Sequence, residues 1–196
     1  MTKVLIDPGH GVDTKGKHSP DGKLREYKWA REMAKRLSIR LAQMNISYHI
    51  LVPEETDISL KERCKSANAI AKKEKCILVS IHCNAAGADG KWHTAHGWSV
   101  FVSLNASGAS KALASMMAVS AEGYGVKVRK PDQLHGYWQQ NLAMCRDTSC
   151  PAVLVENMFQ DNKEDVAFLM SEEGKVTLCE IMVEGICNYL GIQYSN

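Results

Sequence analysis

The stretch CILVSIH at residues 76–82 decides the fold, because it is apolar apart from Ser80 and the closing His82. A strand with one wet face alternates apolar and polar residues, whereas a strand covered on both faces is apolar almost throughout. We therefore predict that this stretch is a central strand, in a sheet that carries helices on both of its faces.

Strands and helices alternate on either side of this central strand. Short apolar runs predict further strands at residues 3–7, 47–52, 98–103 and 151–156. Longer stretches with amphipathic spacing predict helices at residues 25–44, 60–73, 110–122 and 174–190. Loops are expected at residues 11–23 and 84–96, and residues 123–140 follow no clear pattern. The alternation indicates an α/β layer structure with a parallel or mixed sheet.

Composition narrows the class of protein. A length of 196 residues favours one domain, residues 1–196, and the formal net charge of +2 gives no electrostatic case for nucleic acid as a partner. No run approaches the roughly 18 apolar residues of a membrane span. The start, MTKVLIDPGHG, lacks the apolar core of a signal peptide. We therefore expect synthesis in the cytoplasm without a visible export signal.

The cysteines do not form a recognisable framework. There are seven of them, an odd number, and no CxxC pair occurs. This pattern fits buried thiols in a reducing compartment better than a set of disulfides.

Two histidines and one glutamate lie where a metal site could form. His10 follows the first strand, His82 closes the central strand, and Glu26 opens the first helix. Ligand sites in open α/β sheets gather outside the carboxyl ends of the strands. Two histidines and one glutamate are a common catalytic zinc set, which leaves the fourth position to water. Taken singly, each has an ordinary alternative: a solvated turn histidine, a residue favoured by the helix dipole, or a strand end.

Glu156 is the candidate general base. It ends the strand PAVLVE at residues 151–156, so it should reach the same edge of the sheet as His10 and His82. An ionisable group directly after five apolar residues is costly unless it faces a polar site. A base is needed to take the proton of the attacking water and to pass it to the leaving amine. The alternative is that Glu156 caps the helix that follows.

Several motifs, in this order, resemble the zinc-dependent N-acetylmuramoyl-L-alanine amidases of the Amidase_3 family, which are found in bacterial cell-separation enzymes and in phage endolysins. The motifs are DPGHG at residues 7–11, Glu26, SLKER at 59–63 with AN at 67–68, SIHCNA at 80–85, GWSVFV at 97–102, and PAVLVE at 151–156 followed by Phe159, Asn162 and Asp165. The resemblance covers residues 3 to about 190. The chain departs from the family pattern at residues 157–161 and at Cys83, which leaves the shape of the substrate groove open.

The resemblance implies a three-layer fold of the zinc exopeptidase or phosphorylase type, with a twisted, mostly parallel six-stranded sheet and helices on both faces. It implies that His10, Glu26 and His82 bind one zinc ion and that Glu156 is catalytic. It also implies the activity, which is cleavage of the amide bond between N-acetylmuramic acid and L-alanine in peptidoglycan. The partner would then be the cell wall, either the host's own or that of a phage target.

Further residues are weaker candidates, each with a structural alternative. Asn84 and Arg63 could orient the ligands, since metal ligands need supporting partners, or they could simply hold the fold. His96, with His93 in the same loop, could contact substrate or be solvated. Cys83 should point to the opposite strand face from His82 and pack in the core.

The aromatic pair Tyr137 and Trp138 could stack on a sugar, or belong to the core or a lid. Three lysines in the loop at residues 11–23 could flank the groove or be merely solvated, namely Lys15, Lys17 and Lys23.

Two other functions remain open on the sequence. One is a zinc carboxypeptidase or aminopeptidase on short peptides, although no arginine is clearly placed to hold a substrate terminus. The other is a non-catalytic peptidoglycan-binding module, which would not require a general base. The sequence does not decide the oligomeric state.

Overall fold

The protein, described by a computed structural model over residues 2–132 and 134–195, is built on a six-stranded sheet. The strands are β1 (Lys3–Pro8), β2 (Tyr48–Ile50), β3 (Cys76–Asn84), β4 (Ser99–Val102), β5 (Trp138–Gln139) and β6 (Ala152–Phe159). Their order across the sheet is β2-β1-β3-β6-β4-β5. All neighbours are parallel except β4 and β6, which are antiparallel. The mostly parallel six-stranded sheet predicted from the resemblance is confirmed.

Six helices accompany the sheet within the described residues. They are α1 (Glu26–Gln43), α2 (Leu60–Ala71), α3 (Gly108–Gly123), α4 (Ala143–Arg146), α5 (Lys163–Met170) and α6 (Glu172–Leu190). None of these helices is long and apolar enough to cross a bilayer.

The sequence pattern did not predict α4, α5 or β5. Helix α4 is a single turn of four residues, and strand β5 has only two residues. Helix α5 is separated from α6 only by Ser171, which ends one helix and begins the next. The Ser171 hydroxyl donates to Phe168 O and accepts from Gly174 N, so one side chain serves both helix ends.

Alternate residues of the strands enter separate cores on the two faces of the sheet. On β1, Val4 and Ile6 belong to the larger core, which is covered by α1, α3 and α6. Leu5 points the other way, into a smaller core with Cys64 and Ala67 of α2. Helices therefore lie on both faces of the sheet, as the apolar character of the central strand predicted.

The carboxyl ends of β1, β3 and β6 meet at one edge of the sheet. In the pairing of β1 with β3, Pro8 lies beside Ile81, and in the pairing of β3 with β6, His82 lies beside Glu156. The loop after β1 and the start of α1 reach the same edge. This edge carries the predicted site.

Candidate metal centre

His10, Glu26 and His82 converge at this edge. Glu26 Oε1 lies 3.4 Å from His10 Nε2 and 3.1 Å from His82 Nδ1. The two imidazole rings are perpendicular, with their centroids 4.9 Å apart. One ligand atom from each of the three residues lies within 4.8 Å of the others, so the group could hold a metal ion.

The backbone of the loop after β1 gives the two imidazoles their room. A Cβ atom on Gly9 would lie 2.3 Å from His82 Cε1, far inside van der Waals contact, so only glycine leaves space for the ring. A Cβ atom on Gly11 would lie 2.0 Å from the backbone nitrogen of Asp57. The two glycines of DPGHG therefore allow close approach, one of a ligand side chain and one of a neighbouring backbone.

His10 has the left-handed backbone conformation, with φ of 57°. This region is uncommon for a residue with a side chain, and surrounding contacts must hold it. Two guanidinium groups supply them: Arg31 Nη2 donates to His10 O at 2.9 Å, and Arg63 Nη2 donates to the same oxygen at 3.1 Å. The backbone of this candidate ligand is thus held by two side chains.

Arg63 is buried at the base of this loop. Its guanidinium pairs with Asp7 at 2.7 Å and donates to Pro8 O at 2.7 Å. Ser80 of β3 donates to the other oxygen of Asp7. Arg63 therefore acts on the loop backbone and not on a ligand side chain, so it combines the two roles that the sequence left as alternatives.

Glu26 is 1% exposed and lies between the two histidines of the candidate centre. Oε1 also accepts from Cys83 N at 3.0 Å, whereas Oε2 is buried without a hydrogen-bond partner among the described residues. Burial by itself raises the pKa of this carboxyl, but the hydrogen bonds and charges of His10 and His82 outweigh it and hold the pKa well below its usual range. An ionised carboxylate with one unpartnered oxygen beside two imidazoles fits a divalent metal such as zinc.

His82 shows the reciprocal effect. Burial lowers the pKa of its imidazole, but the hydrogen bond and charge of Glu26 outweigh burial and raise the pKa above its ordinary value. A proton and a metal ion would therefore compete for this ring.

Glu156 lies on the same face of the sheet as His82, because the two residues are partners in a parallel pair of strands. Burial is the main cause that raises the pKa of its carboxyl to about 7, with the charge of His82 opposing and that of Glu26 adding to the rise. Its Oε2 is buried without a partner among the described residues.

One cavity of about 330 Å³ joins these side chains. Its lining residues are His10, Lys17, Glu26, Leu60, His82, Cys83, Asn84, Ala85, Leu142, Ala143, Met144, Leu154 and Glu156. A volume of this order suits a small polar ligand or a segment of a larger one.

Asn84 and His96, two of the weaker candidates, differ in whether they line this cavity. Asn84 lines the cavity, where its Oδ1 accepts from the next backbone nitrogen, Ala85 N, at 2.9 Å. His96 is not part of the cavity lining, and its Nε2 lies 2.7 Å from Lys127 Nζ. His93 lies 2.9 Å from Asp89.

The remaining candidates belong to the fold. Cys83 is buried in the larger core, as predicted for the strand face opposite His82. Trp138 stacks on Phe101 at 6.4 Å and donates to Arg129 O, and Tyr137 is buried.

Several residues that support the site were not singled out from the sequence. Arg31 carried no signal, because α1 is rich in lysine and arginine. Asn157 donates to the carbonyl of His82 at 3.2 Å. Asp161 accepts from the backbone nitrogens of Ala86 and Gly87 in the loop after β3, at 2.8 and 3.0 Å.

Fold and site together define a class: an α/β enzyme in which three side chains could hold a metal ion beside a further carboxylate, an arrangement suited to hydrolysis. The chain belongs, more particularly, to the family of N-acetylmuramoyl-L-alanine amidases. The Amidase_3 family model, described as N-acetylmuramoyl-L-alanine amidase, matches residues 4–188.

Known relatives agree with this membership. The chain is 27% identical over 195 residues to an endolysin of Bacillus phage SPP1, with 98% of this chain and 68% of the relative covered. It is 26% identical over 171 residues to N-acetylmuramoyl-L-alanine amidase CwlM of Bacillus licheniformis, with 87% of this chain and 62% of the relative covered. The chain therefore spans about two thirds of the length of these relatives.

Solved structures resemble the whole chain. An N-acetylmuramoyl-L-alanine amidase from Clostridium difficile 630 superposes with a TM-score of 0.85 at 29% identity, covering 98% of both chains. The catalytic domain of CwlV, an N-acetylmuramoyl-L-alanine amidase from Bacillus (Paenibacillus) polymyxa var. colistinus, gives a TM-score of 0.84 at 27% identity, covering 98% of this chain and 100% of that one.

Proposed function

We propose that this protein hydrolyses peptidoglycan at the amide bond between N-acetylmuramic acid and the L-alanine of the stem peptide. The observation that carries the proposal is the convergence of His10, Glu26, His82 and Glu156 on one cavity in a chain of the amidase family. The activity is assigned to residues 1–196 as one catalytic domain, and the cell wall is its site of action.

His10, Glu26 and His82 would hold one zinc ion. The low pKa of Glu26 keeps this ligand ionised at neutral pH, and the two histidines must be neutral to bind metal. Zinc held there would supply Lewis-acid polarisation of the scissile carbonyl and would lower the pKa of a nearby water toward about 7. The chain's own contribution is to fix the ligands, through Gly9 and the two arginines on His10 O.

Glu156 would act as the general base and then as the general acid. It accepts a proton from the attacking water and returns it to the nitrogen of the departing L-alanine. A pKa of about 7 suits both transfers, since the ideal catalytic pKa lies near the operating pH. The antiparallel partner of Glu156 on β4, Ser99, is buried, so the base stands on a rigid strand between two neighbours.

The test is digestion of purified peptidoglycan with and without a chelator, scored by the new amino termini. We expect chelator-sensitive release of N-terminal L-alanine. Glu156→Gln should keep zinc and wall binding but lose hydrolysis by about a hundredfold or more, because only the proton transfer is removed.

Three outcomes would overturn parts of the proposal. New termini other than alanine would favour a zinc carboxypeptidase or aminopeptidase. Wall binding without cleavage of any bond would favour a peptidoglycan-binding module. Undiminished hydrolysis by Glu156→Gln would remove the assigned role of Glu156.

A further inference from the structure

A second cavity opens beside the candidate metal centre. Its lining residues are Lys15, Gly16, Lys17, His18, Pro20, Ala85, Gly87, Ala88, Gly90, Lys91, Gln160 and Asp161. We call it the lysine cleft. It shares Lys17 and Ala85 with the cavity of the metal centre, so the two spaces adjoin and one ligand could extend from one into the other.

Three ammonium groups give the lysine cleft its charge. Lys15 and Lys91 are exposed and Lys17 is half-buried. Among the residues that the structure describes, none of the three lies in an ion pair, although many other charged side chains do. Asp161 is the one acidic residue of the lining, and it is buried with Oδ2 engaged by two backbone amides. The cleft is therefore cationic and free to bind an anion.

The two loops that carry these lysines are fixed on the site. Lys17 O accepts from Glu26 N at 3.0 Å, so the lysine is tied through its backbone to a candidate ligand. The opposite loop, which carries Lys91, is held by Asp161 through the nitrogens of Ala86 and Gly87. Fixed loops keep the distance between the cleft and the metal centre constant, which a specific subsite requires.

Two acceptors in the same lining also lack partners. Gln160 and Asp161 are 2% and 5% exposed, and their Oε1 and Oδ1 atoms have no hydrogen-bond partner among the described residues. Buried acceptors of this kind are normally satisfied by a donor. These two acceptor atoms are buried and face away from solvent, so the groups of the cleft that a peptide could meet are the lysines, whose complement is a carboxylate.

The remaining lining of the metal-centre cavity is unlike the cleft. Leu60, Leu142 and Met144 give it an apolar part, with Leu60 56% exposed. All the lysines that line the two cavities, Lys15, Lys17 and Lys91, thus belong to the lysine cleft. A substrate that has methyl groups at the scissile amide and a carboxylate one residue farther along would match both surroundings in only one orientation.

We propose that the lysine cleft binds the stem peptide and that Lys15, Lys17 and Lys91 select the free α-carboxylate of its second residue, the D-glutamate after L-alanine. This inference rests on the proposed function. Because an extended chain advances about 3.5 Å per residue, this carboxylate lies within roughly 7 Å of the scissile nitrogen, which is the reach of an adjoining cavity. Amidation of the carboxylate removes its charge and with it the attraction.

The experiment compares two batches of purified peptidoglycan, from isogenic bacteria with and without amidation of that carboxylate. The readout is the initial rate of release of N-terminal alanine. The wild-type protein should prefer the free carboxylate by about two- to fivefold, the range of an exposed ion pair. The double variant Lys15→Gln with Lys91→Gln should lose this preference. Lys73→Gln removes an exposed lysine elsewhere and should keep it.

The outcomes separate this inference from the proposed function. Equal rates on the two batches, or a preference that the double variant retains, would overturn the role of the lysine cleft and leave the amidase activity standing. Release of N-terminal alanine from neither batch would remove the proposed function and the cleft's role together. Melting temperatures of the variants check that their folding is unchanged.

Discussion

Gly9 lies directly against the imidazole of His82, so closely that a Cβ atom on Gly9 would be 2.3 Å from His82 Cε1. A residue of the loop after the first strand thereby limits the position of a candidate ligand on the central strand. The two positions are far apart in sequence, and the contact exists only because β1 and β3 are paired, with Pro8 beside Ile81.

We expect Gly9→Ala to displace the His82 ring and weaken zinc binding. Loss of a ligand's support typically lowers metal affinity by about 10- to 100-fold. The measurement is competition for zinc against a chelating dye. Gly108→Ala is the matched control, because nothing lies within 4 Å of a Cβ atom there. Equal zinc affinity for both variants would contradict the steric role of Gly9.

Arg63 should contribute more to stability than other arginines that form ion pairs. Arg63→Gln would leave Asp7 buried without its ion-pair partner and release one support of His10 O. Breaking a buried pair costs about 3–5 kcal/mol, which denaturant unfolding would measure. The control is Arg146→Gln, whose pair with Asp147 is exposed and should not matter measurably. A similarly small effect at Arg63 would refute this account.

The metal-free protein should be stabilised by Glu156→Gln at high pH. The pKa of Glu156 is raised from 4.5 to about 7, so its contribution to stability is fully present below about pH 4.5 and is lost as the pH rises through about 7. Glutamine does not titrate. In the presence of a chelator, the variant's gain in free energy of unfolding should therefore be larger at about pH 8 than at about pH 4, by on the order of 1–3 kcal/mol. A gain independent of pH would show that burial does not perturb this carboxyl.

Zinc should raise the melting temperature of the wild-type protein. A ligand at about 1,000 times its dissociation constant stabilises the folded state by about 4 kcal/mol. His10→Ala should lose most of this shift. His93→Ala, which changes a histidine paired with Asp89 in another loop, should retain it. An undiminished shift in His10→Ala would place the zinc elsewhere.

Zinc affinity should fall in acid. Burial lowers the pKa of the His82 imidazole in the metal-free protein, but the ion pair with Glu26 outweighs burial and raises the pKa. Protons therefore begin to compete with zinc at a pH above about 6.5, the ordinary value of an imidazole, and compete more strongly below it. Calorimetric titration at several pH values would measure this. Affinity that does not change between about pH 8 and pH 5 would exclude histidine ligation.

The fold class followed from local patterns in the sequence. The mainly apolar run at residues 76–82 predicted a strand covered on both faces, and the amphipathic spacing of the long helices predicted the elements that cover it. The positions of His10, His82 and Glu156 after apolar runs were also local information. The prediction that His82 and Glu156 end their strands was wrong, because β3 continues to Asn84 and β6 to Phe159. Their convergence could be inferred because the carboxyl ends of parallel strands meet at one edge.

The tertiary structure decided what depends on contacts between distant segments. The strand β5 and the helices α4 and α5 are too short to show a periodic pattern in the sequence. The antiparallel direction of β4 is defined only by its pairing with β6. Arg31 is one of many basic residues in its helix, and its bond to His10 O exists only after α1 packs beside the loop. The lysine cleft likewise exists only because segments that are distant in the sequence lie side by side in the fold. Amino-acid type and spacing set which residues can act, whereas packing sets which of them meet.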